Sequence, residues 1–248
     1  MLLKFGNKIL KKLRNNFLTK KINSKFIKEF NLESWNSELF LYHGSLNKIE
    51  PQFKDPRFVG LPLNYRTHYR EIICDLNKPL PLPDLSADAF QSQDVLEHLD
   101  PEKVVGCLNE VYRVLKKQGF FRLSLPDYNS PCLKKRSVYN HKGEILGDLG
   151  VGAKVVINSS NSEVYCLNNA RRGNNHFWFP TYENVNKLIM KSKFANASSC
   201  NWIHANIDNK NKILNPIPND KLFFISRCPP NDMRSDGLPV SLIVDLVK

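Results

Sequence analysis

The chain has 248 residues, with 36 Lys and Arg against 24 Asp and Glu (net charge +12), 42% apolar residues and 10% aromatics. This length and apolar share supply a core for one large domain and exclude a disordered or fibrous chain, while eleven glycines and fifteen prolines exclude a collagen-like one. The charge is local: residues 1–28 hold nine bases and no acid, which leaves +3 on residues 29–248. A nearly neutral body is not built to neutralise phosphates, so no nucleic-acid partner is expected.

Residues 1–30 read as a basic amphipathic helical arm. Leu2, Phe5, Ile9, Leu13 and Phe17 recur at three- and four-residue steps with lysines between them. Such a face docks on its own body or on a second copy; a basic one also suits an anionic membrane surface, as a peripheral contact through residues 1–28. Lys and Asn break each apolar run before a signal-peptide core forms, and no run nears the roughly 20 apolar residues of a membrane span. A cytoplasmic protein, with membrane-peripheral attachment as the variant, is expected. The six cysteines form no C-x-x-C pair and have no histidine at ligand spacing. They are expected to be mostly buried thiols, with no metal site.

Residues 31–248 read as one domain. Short apolar runs at 39–42, 57–61 and 71–74 predict strands, and a fourth at 89–93 precedes a helix. Asp100 is its expected N-cap, Pro101 its first residue, Val104, Leu108, Val111 and Leu115 its inner face, and Gly119 its left-handed C-terminal cap. The run 120–125 follows, so strand, helix and strand within about 40 residues make a βαβ unit with a parallel sheet. Residues 128–175 are rich in Asn, Ser, Gly and Lys and read as an insertion, with a hairpin at about 153–157 and 163–167. Thr181 caps a helix through Lys191, and 222–225 and 241–247 read as closing strands.

Within this frame stand Asp75-Leu-Asn-Lys-Pro-Leu-Pro-Leu-Pro-Asp84, Ser86-Ala-Asp88, Asp94-Val-Leu-Glu97-His98-Leu, Glu110-Val-Tyr-Arg113-Val-Leu-Lys116-Lys-Gln-Gly119 and Leu123-Ser-Leu-Pro126-Asp127. In this order they resemble the later motifs of class I S-adenosylmethionine-dependent methyltransferases. Asn175-His176-Phe-Trp178-Phe and the 241–247 strand resemble the family more faintly. The resemblance implies a Rossmann-like, doubly wound, mostly parallel α/β sheet with a C-terminal antiparallel strand. It also implies S-adenosylmethionine as cofactor and a small-molecule acceptor, a sugar or lipid-linked intermediate, with the 128–175 insertion as its lid. Ligands in such sheets bind beyond the carboxyl ends of the strands, which makes His43, Gly44, Ser45, Asp75, Leu76, Gln93 and Asp94 the cofactor-binding candidates. Asp75 is placed by the adenine in the family; the plainer alternative is a loop-starting Asp bonded to its own backbone. His98, Asp127 and His176 are the acid–base candidates, and Glu97 reads as a surface or helix-start charge.

Two positions depart from the family. Tyr42 stands at the first glycine of the cofactor loop, where bulk disfavours a positive φ, and Pro62 stands where an acid grips the ribose hydroxyls. They support a second reading, a catalytically inactive methyltransferase-like binding or scaffolding protein that has lost normal cofactor binding.

Overall fold

The computed structural model describes residues 37–63, 70–160, 163–168, 175–207, 210–213, 223–227 and 239–248. The N-terminal arm lies outside them. Strands β1 (Phe40–His43), β2 (Phe58–Leu61), β3 (Ala87–Gln93), β4 (Leu115–Pro126), β9 (Ser199–Ile207), β10 (Lys210–Ile213) and β11 (Ser241–Val247) form one sheet, ordered β10-β9-β11-β4-β3-β1-β2. β2, β1, β3 and β4 pair in parallel, whereas β11 runs antiparallel between β4 and β9. This is the mostly parallel α/β architecture expected, with its C-terminal antiparallel strand. The insertion folds as two hairpins, β5 (Ser137–Tyr139) with β6 (Ile145–Asp148), and β7 (Ala153–Ile157) with β8 (Val164–Asn168).

Helix α1 (Pro101–Val114) buries Val104, Cys107, Leu108, Val111 and Val114 against the sheet, and the Asp100 carboxylate accepts from the Glu102 N–H at its start. Helix α2 (Tyr182–Lys191) begins with a reciprocal capping box between Thr181 and Asn184. The main core joins Leu39, Leu41 of β1, Phe90 of β3 and Phe121 of β4 to both helices; on the opposite face, Phe40, Tyr42, Phe58 and Ala89 form a smaller cluster. The two clusters follow the period-2 alternation of strand side chains.

Four expectations are corrected. Residues 71–74 form no strand: only Glu71 bridges Gly60, in parallel, at the sheet edge. Helix α1 ends at Val114 and Leu115 opens β4 directly, so Gly119 is no cap. Glycine serves there for close approach, since a Cβ would meet the Lys116 carbonyl at 2.8 Å. Residues 223–225, within the predicted 222–225 strand, lie in no strand, whereas β9 and β10 carry a sheet edge that was not anticipated. Only Cys74 and Cys107 among the described cysteines are buried.

Arg113 fixes the proline-rich loop to α1. Its guanidinium donates to the Leu80 and Leu82 carbonyls, to Asp84 and, through two nitrogens, to Glu110, at 2.7–3.0 Å. The Leu80 N–H in turn donates to Glu110 at 2.8 Å. Hydrogen bonds to charged groups contribute about 1.5–3 kcal/mol, so Arg113→Ala should destabilise the domain by about that much in urea unfolding. Exposed Lys117→Ala should stay within about 0.5 kcal/mol of wild type.

Candidate functional site

A cavity of about 310 Å³ opens beyond the carboxyl ends of β1, β2 and β3, lined by Gly44, Leu61, Leu63, Asp75, Leu76, Asn77, Asp94, Val95, His98 and Leu99. β1 is followed on one side by β2 and on the other by β3 and β4, so the cavity lies where the strand order reverses. Its size is at the lower end of ligand sites, about 300–1,000 Å³.

Of the cofactor candidates, Gly44, Asp75, Leu76 and Asp94 meet in this wall. Gly44 makes the turn after β1 with φ +95, where a Cβ would be strained. Asp94 turns the chain after β3 with φ 52, a conformation that Asp tolerates better than most residues, and pairs with Arg227 at 3.1 Å. Asp75 Oδ1 accepts from the backbone and the side chain of Asn77, at 3.2 and 2.9 Å, so the carboxylate shapes its own loop as well as the wall.

His43, Ser45 and Gln93 do not line the cavity. His43 is fully buried edge-on to Phe90, ring centroids 4.4 Å apart, and its ring nitrogens have no hydrogen-bond partner among the described residues. Burial lowers its pKa to about 3. Gln93 bonds Ser226, donating to its hydroxyl at 2.6 Å and accepting from its N–H at 3.3 Å.

The two departures from the family come apart in the structure. Tyr42 is a strand residue, paired with Gly60 and Gln91, and its ring packs into the cluster with Phe40 and Phe58. The left-handed turn falls two residues later, on Gly44, so the tyrosine does not fill it. Pro62 does stand at the end of β2, where its carbonyl accepts from Cys74 N–H at 3.0 Å and no carboxylate is offered.

The acid–base candidates also divide. Asp127 is buried as a clasp: its carboxylate accepts from the backbone and side chain of Asn206 at 2.6 and 2.9 Å and from Asn129 N–H at 3.0 Å, away from the cavity. Its pKa is raised by burial against those bonds. His98 and His176 stand together, ring centroids 4.9 Å apart, with Glu97 beside both. The segment 175–178 brings them there: Phe177 N–H donates to the Glu97 carbonyl at 2.8 Å and Trp178 Nε1 to the Leu96 carbonyl at 2.9 Å. Glu97, read as a surface charge, is 0% exposed. Desolvation, followed by Asp94, raises its pKa. Tyr128 and Asp148, which support His176, were not foreseen; no spacing links them to it.

Residues 59–123 match the family described as "Methyltransferase domain". This segment runs from β2 to β4 and includes every strand-end loop of the cavity wall except the turn at Gly44. Over these residues the chain is similar to that family, and the parallel order β2-β1-β3-β4 agrees with the class I S-adenosylmethionine-dependent methyltransferase fold that its motifs resemble. Similar solved structures include an S-adenosylmethionine-dependent methyltransferase from Mesorhizobium loti, 15% identical over 88% of this chain and 95% of that one, TM-score 0.42. An S-adenosylmethionine-dependent methyltransferase from Archaeoglobus fulgidus is 13% identical over 93% and 94%, TM-score 0.46. The 1,6-didemethyltoxoflavin-N1-methyltransferase of Burkholderia thailandensis, solved with S-adenosylhomocysteine, is 10% identical over 98% and 89%, TM-score 0.44. No curated protein matches the chain.

The buried ring of His43 makes the stability of the fold depend on pH. Because its folded pKa of about 3 lies below the ordinary 6.5, its contribution to stability is present above pH 6.5 and is lost as pH falls toward 3. His43→Leu should therefore flatten the acid limb of stability against pH, measured as the difference from wild type in urea unfolding between pH 7 and pH 4.

Proposed function

We propose that this domain transfers a methyl group from S-adenosylmethionine to a small-molecule acceptor in the cavity beyond β1, β2 and β3. One observation carries the reading: at the reversal of strand order, a left-handed glycine, two carboxylates and a set of leucines share one wall. S-adenosylmethionine supplies an already activated methyl group, so the protein must chiefly bind and orient the reactants. Leu61, Leu76 and Leu99 offer apolar surface to a purine, Gly44 lets backbone approach, and Asp75 and Asp94 match a cationic ligand in charge. The residues fit the group at every point but the end of β2, where Pro62 leaves the ribose hydroxyls without their family partner.

The acceptor side is assigned to the insertion. Its hairpins expose Tyr139, Leu149, Val155, Ile157 and Tyr165, an apolar surface suited to a sugar or lipid-linked acceptor. It is tied through Asp148, Tyr128 and His176 to the ring of His98 in the cavity wall. The second reading, a catalytically inactive binding or scaffolding module that has lost normal cofactor binding, keeps Pro62 as its support and loses Tyr42, which lies in the core.

Thermal shift with S-adenosylmethionine and S-adenosylhomocysteine decides between them. A ligand at 100 times its dissociation constant stabilises a fold by about 2.7 kcal/mol, so melting should rise measurably with either compound. No rise at millimolar concentrations of both would remove the enzyme reading. Asp75→Ala should weaken the response, and unchanged affinity would move the adenine end elsewhere in the cavity.

A further inference from the structure

We propose that Glu97, His98 and His176 form a binding site for a divalent transition-metal cation in the wall of the cavity. One ligand atom from each lies within 4.8 Å of the others. Glu97 Oε1 stands 3.7 Å from His176 Nε2 and 3.9 Å from His98 Nε2. Neither separation is a hydrogen bond. Two ligands about 2.1 Å from a tetrahedral cation stand about 3.4 Å apart, so both glutamate–histidine separations lie within about half an ångström of coordination distance, and the third pair, within 4.8 Å, closes by a side-chain adjustment of up to about an ångström and a half.

The proton positions strengthen the inference. His98 Nδ1 lies 2.8 Å from the Asn175 carbonyl, which can only accept, so Nδ1 carries the proton and Nε2 presents a lone pair. Asp148 is paired with Arg136 at 2.8 Å and is therefore an acceptor for Tyr128, whose hydroxyl donates its one proton to it at 2.7 Å. The 2.5 Å contact between Tyr128 and His176 Nδ1 must then be donated by the histidine, and His176 Nε2 is again a lone pair. Two imidazole lone pairs thus face a buried carboxylate, neither of whose oxygens has a hydrogen-bond partner among the described residues. Three electron donors converge with nothing positive bonded between them. Arg227, the nearby guanidinium, is turned to Asp94.

The donor set selects the ion. Two imidazoles and one carboxylate suit Zn²⁺, Mn²⁺, Fe²⁺ or Co²⁺ rather than the all-oxygen shells of Ca²⁺ and Mg²⁺. Each imidazole has its other nitrogen held, one by a carbonyl and one by the Tyr128–Asp148 pair, the outer arrangement that orients metal-bound histidines. Three protein ligands leave a position open on a four-coordinate cation. His98 is both a ligand and a cavity-wall residue, which puts that position in the service of the cavity. The occupant we assign to it, a hydroxyl oxygen of the acceptor, rests on the methyl-transfer reading; the cation site does not.

Elemental analysis of the full chain purified without chelator, followed by calorimetric titration of the chelator-stripped protein with Zn²⁺, Mn²⁺ and Co²⁺, tests the site. Binding near one equivalent is expected, with a rise in melting temperature and visible absorption bands from the cobalt form. Glu97→Gln and His176→Gln should abolish it, and Tyr128→Phe should weaken it 10–100-fold, each variant first shown to be folded by circular dichroism. Stripped wild-type protein that binds none of the three ions at millimolar concentration, or that binds them as well as Glu97→Gln does, would overturn the proposal and leave Glu97 as a protonated partner of the histidines. Titrating S-adenosylhomocysteine alongside separates the two readings. Metal binding without nucleoside binding sinks only the methyl-transfer reading, and the reverse sinks only the cation site.

Discussion

Every N–H group of the Arg113 guanidinium that can reach the loop 80–84 or Glu110 is engaged there, and the position of the cavity floor depends on that clamp. The loop from Asp75 to Asp84 has no regular secondary structure and contains three prolines, so it cannot hold itself against α1 by backbone ladders. Arg113 and Glu110 supply the missing partners for Leu80 and Leu82. Asp75, Leu76 and Asn77, at the upstream end of the same loop, are thereby set beneath Gly44 and Leu61. A second tie has the same logic: Asp88 accepts from the Leu39 N–H at 2.8 Å and from both contacts of Lys116 Nζ at 2.8 Å, joining the entries of β1, β3 and β4.

These ties explain why the sequence motifs were legible and what they encode. Asp84, Asp88, Glu110, Arg113 and Lys116 carry the family resemblance, yet none of them lines the cavity; they hold the loop and strands whose ends do. A motif of paired charges at fixed spacing is visible in sequence because both partners are present in it. Helix α1 was legible for a related reason, since its cap, its first proline and its apolar stripe are all local. Gly119 misled because a glycine after a helix is usually a left-handed cap, whereas here the chain has already turned into β4.

What was not legible depended on partners distant in sequence. β9 carries His204 and Asn206 at fully buried positions, so its run Ser-Cys-Asn-Trp-Ile-His-Ala-Asn-Ile lacks the apolar alternation of a strand. His204 is satisfied by the Ser241 carbonyl at 2.8 Å and Asn206 by Asp127, partners 37 and 79 residues away. Tyr42 is a similar case. Read along the chain it replaced a glycine, but alternation along β1 aims it at the face opposite His43, where Phe40 and Phe58 receive it. The residue that must turn is Gly44, which is present.

Glu97 joins these points. A glutamate beside a histidine before a capped helix reads as solvated charge, and only the return of residues 175–178 over the turn at 96–98 buries it. Burying a carboxylate without hydrogen bonds is costly, and a cofactor whose methyl group is already activated does not require it. The cavity wall can be built from Gly44, Asp75, Leu76 and Asp94 with an apolar side chain at position 97. Retaining a carboxylate there, with two imidazoles turned lone pair first toward it and a tyrosine and an aspartate fixing one of them, is the cost that the proposed cation site accounts for.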